Sequence, residues 1–221
     1  AVVTLQELID QTADSEKLVE QHDAWRTRKI TSAINFSDHY PQDSRAVPVL
    51  PKAAQEIFQR EEFERAAEIA LRVTQWQPQP KKDLLKTAGL ILAHSYFDLN
   101  DFVKAEAAYR QVLVLLGAQD PERAKVIERI AASMYKQSET QIAAGELAPA
   151  VERLLSIRDI APGSDIAISG QYDAANYLIE LQDWTRAEAE LLDFKRRYPQ
   201  NKLIATLPPK FAFIYQESEQ W

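Results

Sequence analysis

LILAHSYFDLNDFVKAEAAYRQV, residues Leu90 to Val112, decides the fold. Leu92, Ala93, Tyr96, Phe102, Ala105, Tyr109 and Val112 recur mostly at steps of 3 and 4, the spacing of neighbours on one face of a helix. Asp98-Leu99-Asn100-Asp101 interrupts the pattern as a polar turn, in which Asn tolerates positive φ and Asp can cap the helix that follows. The stretch therefore reads as two antiparallel helices joined by a tight turn.

The same grammar recurs on either side. Breaks at Arg60-Glu61-Glu62, Ala144-Gly145-Glu146 and Leu181-Gln182-Asp183 are each followed by an aromatic residue or leucine, then two residues, then alanine. The pairs are Phe63/Ala66, Phe102/Ala105, Leu147/Ala150 and Trp184/Ala187, and they run into Pro78, Gly117, Pro162 and Pro199. The alanines step by 39, 45 and 37 residues, and Pro41 stands 37 residues before Pro78. Self-similarity at about 34–47 residues in a helical sequence predicts a helix-pair solenoid. Alanine at the crossing lets two helix backbones approach to the short end of the usual 8–10 Å separation. Proline past the second helix cannot extend its hydrogen-bond ladder. Asp120-Pro121-Glu122 and Ser164-Asp165 read as helix starts. The fold class is all-α, an α-α superhelix of antiparallel helix pairs, with no sheet, because no β-branched alternating run appears.

Composition agrees. With 46% apolar and 27% charged residues and only 5 glycines, 221 residues suffice for a continuous core. Net charge −7 offers no basic face for nucleic acid. The absence of cysteine removes disulfides, thiol catalysis and cysteine-ligated zinc together. The longest apolar run, Val112 to Leu116, falls far short of the ~20 residues of a membrane span. AVVTLQELIDQ, residues 1–11, has neither a basic region nor a long apolar stretch, so no signal peptide is read there, and an exported protein would have lost its leader.

No catalytic or metal-binding signature emerges. His22, His39 and His94 are far apart in sequence and lack the spacing of a ligand set. Glu61-Glu62 and Asp98/Asp101 lie at turns, where capping explains them better than general acid–base work. Gly163 to Gly170 lacks the Gly-Lys-Ser/Thr ending of a phosphate loop. Lys195-Arg196-Arg197 complements a helix C-terminus. The reading is a non-enzyme with no catalytic residues, no metal and no cofactor.

These motifs resemble the tetratricopeptide repeat family over about residues 47–199, and only weakly over residues 1–41. Gln141 and Leu178 depart from it, standing where the family often has a tyrosine like Tyr96. The resemblance implies a degenerate N-terminal repeat over 1–46, four helix pairs over 47–201, and the first helix of an incomplete repeat over 202–221. It also implies that the first helix of each pair lines a concave groove. The family register places Phe58, Gln59, Leu90, His94, Phe97, Tyr135, Glu139, Ile142, Tyr172, Asn176 and Ile179 there, with about half expected to be accessible. A carboxylate clamp is doubtful: Asn176 is present, but Leu90, Tyr135 and Tyr172 stand where a lysine would be wanted. The partner implied is a protein or peptide, with no nucleic acid and no direct membrane span.

Phe36-x-x-x-Tyr40-Pro41 and Phe194-x-x-x-Tyr198-Pro199 are similar to motifs of tetratricopeptide proteins of the bacterial envelope. That likeness implies an envelope-associated or periplasmic scaffold within a larger protein, with the cytoplasm as the alternative. A spacer or oligomerisation module, or an accessory domain of a larger enzyme, are the competing functions. Phe211, Ala212, Tyr215 and Trp221 repeat the spacing of Ala174, Ala175, Leu178 and Trp184, 37 residues on. The expectation is a fragment ending in half a repeat, whose homodimer, if one forms through that end, is driven by truncation.

Overall fold

The computed structural model describes residue 7 and residues 19–218, with side chains from residue 23 onward in the second stretch. The side chain of His22 and the expectation on Trp221 fall outside the described residues. The described chain is helical, with no strand among the described residues. It divides into two compact units, Ala1–Asp120 and Pro121–Trp221.

The first unit contains α1 (Val19–His39), α2 (Ala46–Phe58), α3 (Phe63–Thr74), α4 (Lys82–Asp98) and α5 (Phe102–Leu115). Each packs on the next, and α2 also touches α4. The second contains α6 (Arg123–Ala143), α7 (Leu147–Ile160), α8 (Asp165–Glu180), α9 (Trp184–Arg197), a 3-10 turn η1 (Lys202–Thr206) and α10 (Leu207–Glu217). Consecutive α-helices pack again, and α6 also touches α8. Helices α2, α4, α6 and α8 lead their pairs, and α3, α5, α7 and α9 trail them. Each unit is thus a stack of helix pairs, in which short turns make neighbours antiparallel.

Four turns share one geometry. Glu61, Asn100, Gly145 and Gln182 all adopt positive φ, at 61°, 60°, 79° and 59°. In each turn the next residue donates its N–H five residues back: Glu62 to Ile57, Asp101 to Tyr96, Glu146 to Gln141 and Asp183 to Leu178. The positive-φ residue itself donates to the carbonyl of Phe58, Phe97, Ile142 or Ile179. This paired closure satisfies carbonyls that the helix end leaves open. The turn residues step by the same 39, 45 and 37 residues as the alanines, so turn and crossing form one rigid repeat unit.

Ala66, Ala105, Ala150 and Ala187 are each 0% exposed, as the crossing argument requires. The backbones are close elsewhere too. A Cβ on Gly89 of α4 would stand 2.7 Å from Val112 Cγ2 of α5, and one on Gly170 of α8 would stand 3.1 Å from the Leu154 carbonyl of α7. The trailing helices α3, α5, α7 and α9 end at Thr74, Leu115, Ile160 and Arg197, just before Pro78, Gly117, Pro162 and Pro199.

One start differs from the sequence reading. Ser164 caps α8 by accepting from the Ala167 N–H, and Asp101 and Asp183 do the same for α5 and α9. α6 begins at Arg123 with Glu122 at its N-cap position, so Asp120 and Pro121 precede the helix rather than open it. The Asp120 carboxylate lies 3.8 Å from Lys86 Nζ.

Candidate functional site

The predicted groove residues fall into two faces, one per unit. On α4, Leu90, His94 and Phe97 sit at i, i+4 and i+7; on α6, so do Tyr135, Glu139 and Ile142; on α8, Tyr172, Asn176 and Ile179. That spacing puts each trio on a single helix face. Phe58 closes α2, and Gln59 is its C-cap residue. None of the eleven is buried: Gln59 and Glu139 are exposed and the other nine are half-buried. This is more access than the expected half.

In the first unit aromatic rings join leading helices to their neighbours. Phe58 of α2 lies 6.2 Å from the ring of His94 on α4, which meets Tyr109 of α5 edge-on at 5.5 Å. Phe58 also packs on Phe63 at 5.3 Å, and Phe97 on Phe102 at 5.2 Å. Both phenylalanines therefore spend one ring face wedging the turn at their own helix end. Gln59 accepts a hydrogen bond from Arg26 at 3.2 Å. Leu90 takes its place on the same face of α4 through its spacing.

In the second unit the tyrosine hydroxyls reach forward. Tyr135 on α6 donates to Asp173 Oδ2 on α8 at 2.6 Å. Burial and the bond to Asp173 push the phenol above its ordinary value, so it remains a neutral donor. Tyr172 on α8 shares a 2.7 Å hydrogen bond with Thr206 of η1. Thr206 gives its own hydrogen to the Leu203 carbonyl at 2.7 Å, so Tyr172 is the donor. Lys210 of α10 places its ammonium 5.4 Å from the centre of the Tyr172 ring, within cation–π range. Glu139 accepts from Lys136 at 2.6 Å.

Asn176 stands apart. Its Oδ1 is buried and has no hydrogen-bond partner, although an amide oxygen can accept two. An unsatisfied acceptor of this kind costs about 1–3 kcal/mol.

Sequence reasoning missed Asp173, Thr206 and Lys210. The signal was a register one: 173 lies 38 residues after 135, and 210 lies 38 after 172. The position after one repeat thus faces each tyrosine, as a carboxylate in one case and a cation in the other. Two of the three basic residues at the end of α9 are paired. Arg196 and Arg197 both reach Asp193 at 2.5 Å, while Arg158 of α7 binds Glu190 of α9 at 3.0 Å. Among the described residues no group of three His, Asp or Glu side chains is placed to hold a metal ion. No described helix is long and apolar enough to cross a membrane.

No protein-family profile matches the sequence, and no curated protein matches it. Among solved structures it is similar to BtubC (BKLC) from P. vanneervenii, at 17% identity over 93% of this chain and 85% of that one, with a TM-score of 0.38. It is also similar to the TPR2AB-domain:pHSP90-complex of yeast Sti1, at 12% identity over 97% of this chain and 100% of that one, with a TM-score of 0.36. At these scores the fold rests on the chain's own helix packing and turn geometry.

Proposed function

We propose that the chain is a non-enzymatic protein-interaction scaffold whose leading-helix faces bind a protein or peptide segment. One observation carries this reading. All eleven face residues retain solvent access, while Ala88, Leu92, Ala131, Ala174 and Leu178, on other faces of the same helices, are buried at 3% exposure or less. Mixed aromatic, aliphatic and polar side chains on a rigid support suit recognition of a protein segment. Tyr172 with Lys210 offers it a flat cationic edge. Nucleic acid is no part of this reading.

An envelope or periplasmic setting within a larger protein belongs to the same proposal. Its support is local: Phe36 packs on Tyr40 at 5.6 Å and Phe194 on Tyr198 at 5.2 Å, each pair closing a helix just before a Tyr-Pro step. The repeated device fits the motif likeness that suggested the envelope. Fractionation of cells expressing the native gene tests the setting, and a wholly cytoplasmic product removes it. The exposed Phe213 and Tyr215 (46% and 37%) favour an oligomerisation module as a second reading.

Selection of a displayed peptide library on the immobilised protein tests the binding faces. Selected peptides should lose at least tenfold in affinity for Phe97→Ala or Tyr172→Ala protein, the scale of about 1.4 kcal/mol at an interface anchor. Peptides that bind both variants as tightly as the wild type would eliminate these faces.

A further inference from the structure

We infer that the segment bound by the leading-helix faces is basic and amphipathic, with apolar residues seated at the tight turns and Lys or Arg side chains drawn to Glu61, Asp98, Glu146 and Glu180. This rests on the binding faces proposed above and names the chemistry of their partner.

In each unit the faces end at the tight turns, where apolar side chains and carboxylates lie side by side. Phe97 and Phe102 in the first unit, and Ile179 and Trp184 in the second, stand three residues before and two after the positive-φ residue of their turn. The turns at Glu61 and Gly145 place apolar residues at the same two positions. All of these side chains are half-buried, so each turn offers an apolar seat on a rigid support, as an anchor residue of a bound segment requires.

The carboxylates stand there against helix electrostatics. A helix C-terminus carries partial negative charge and favours a cation. The trailing helices α3, α7 and α9 follow that preference, ending with Arg72, Arg158 and Lys195-Arg196-Arg197. None of the leading helices α2, α4, α6 and α8 has a basic residue in its last turn, and α4 and α8 end on acids, Asp98 and Glu180. Glu61 holds the left-handed turn position after α2. Glu146 is the N-cap residue of α7, yet its carboxylate caps nothing.

All four carboxylates are exposed, and no described cation pairs with any of them. The cations nearest the turns are engaged elsewhere. Arg60 binds Asp23 at 2.8 Å, Arg65 binds Glu62 at 2.9 Å, Lys104 binds Asp101 at 2.6 Å and Arg186 binds Glu152 at 2.6 Å, while Arg153 donates to Gln141 at 3.2 Å. Apolar seats fringed by carboxylates and by the negative ends of helices, with the local cations already engaged, fit a segment that alternates apolar anchors with positive charge.

Selection of a displayed random-peptide library on the immobilised full chain supplies the probe. Peptides that lose affinity for Phe97→Ala or Tyr172→Ala protein should carry an excess of Lys and Arg over the library. Their affinity should fall as salt rises from ~0.1 to ~1 M, over which the Debye length shrinks from about 10 to about 3 Å. The turn variant Glu61→Gln/Asp98→Asn/Glu146→Gln/Glu180→Gln should bind them about fivefold or more weakly. A control of equal net charge, Glu68→Gln/Asp83→Asn/Glu128→Gln/Asp159→Asn, alters exposed carboxylates away from the turns and should bind as the wild type does. Circular-dichroism melts check that both variants fold. Peptides that need Phe97 or Tyr172 but carry no excess of Lys and Arg overturn this inference and leave the faces standing. So does affinity that the turn variant retains, or that the control loses equally through net charge alone. Peptides indifferent to both Phe97 and Tyr172, or a selection without binders, remove the faces and this inference with them.

Discussion

The Tyr135 hydroxyl donates to the Asp173 carboxylate at 2.6 Å, tying the leading helix α6 to the next leading helix α8. Trailing helices hold the pairs together through small buried alanines, but this bond runs between the two leading helices that carry the proposed binding face of the second unit. It holds Tyr135 and Tyr172, which neighbours Asp173 in sequence, in fixed register. Tyr135→Phe should cost about 1.5–3 kcal/mol, the range for a hydrogen bond to a charged acceptor. Asp173→Asn, which keeps an acceptor, should cost less than Asp173→Ala. Urea midpoints measure both. The raised phenol value also sets a pH dependence. The contribution of the bond is fully present below the ordinary tyrosine range near pH 10 and declines as pH rises towards the folded value. Tyr135→Phe should remove that alkaline decline.

Gln182 and Gly145 occupy the same left-handed turn position, at φ 59° and 79°. A side chain in that region costs about 1 kcal/mol that glycine avoids. Gln182→Gly should therefore stabilise by about 0.5–1 kcal/mol, and Gly145→Ala should destabilise by about 1 kcal/mol. Thermal melts that move in the opposite directions would mean that the four turns are not equivalent.

Ala105→Leu and Ala187→Leu should each destabilise by about 1–3 kcal/mol, the cost of overpacking a tight core. Both sites are 0% exposed. Leucine is a good helix former, so propensity cannot account for such a loss. Unchanged urea midpoints would move these alanines off the crossings.

Glu56 of α2 accepts from Arg26 at 2.6 Å and from Lys29 at 3.0 Å, both on α1. Burial alone would raise its pKa, but the two cationic donors outweigh burial and hold it below the ordinary value. A depressed folded value means that the stabilisation is present above the unfolded carboxylate range and is lost as pH falls through the folded one. The first unit should therefore lose stability on acidification below about pH 4.5, the ordinary glutamate range. Glu56→Gln should flatten that dependence and lower stability at neutral pH. An unchanged acid limb in chemical denaturation would contradict the linkage.

The fold was legible because its signals are local and repeated. The crossing alanines and the stops at Pro78, Gly117, Pro162 and Pro199 state the period without any knowledge of contacts. Asn100 and Gly145 announce a left-handed turn by residue type. Glu61 and Gln182 adopt the same φ but do not announce it, because the closing hydrogen bonds impose that conformation against side-chain preference. The contact of Asp120 with Lys86 joins residues 34 apart in sequence, beyond the reach of a local reading. The face residues were readable as helix positions. The partners of Tyr135 and Tyr172 were not, since they lie one repeat away and change chemistry from Asp173 to Lys210.

Site-specific photocrosslinking in cells expressing the native gene is the most direct test of the central claim that leading-helix faces bind a protein segment. A photoreactive phenylalanine analogue would replace Phe97 or Tyr172 on those faces, and, as controls, Val114 or Leu192 on trailing helices, where exposure is 85% and 49%. The account predicts a discrete crosslinked partner band from positions 97 and 172 and none from 114 and 192. A partner captured from 114 or 192 but never from 97 or 172 would contradict it.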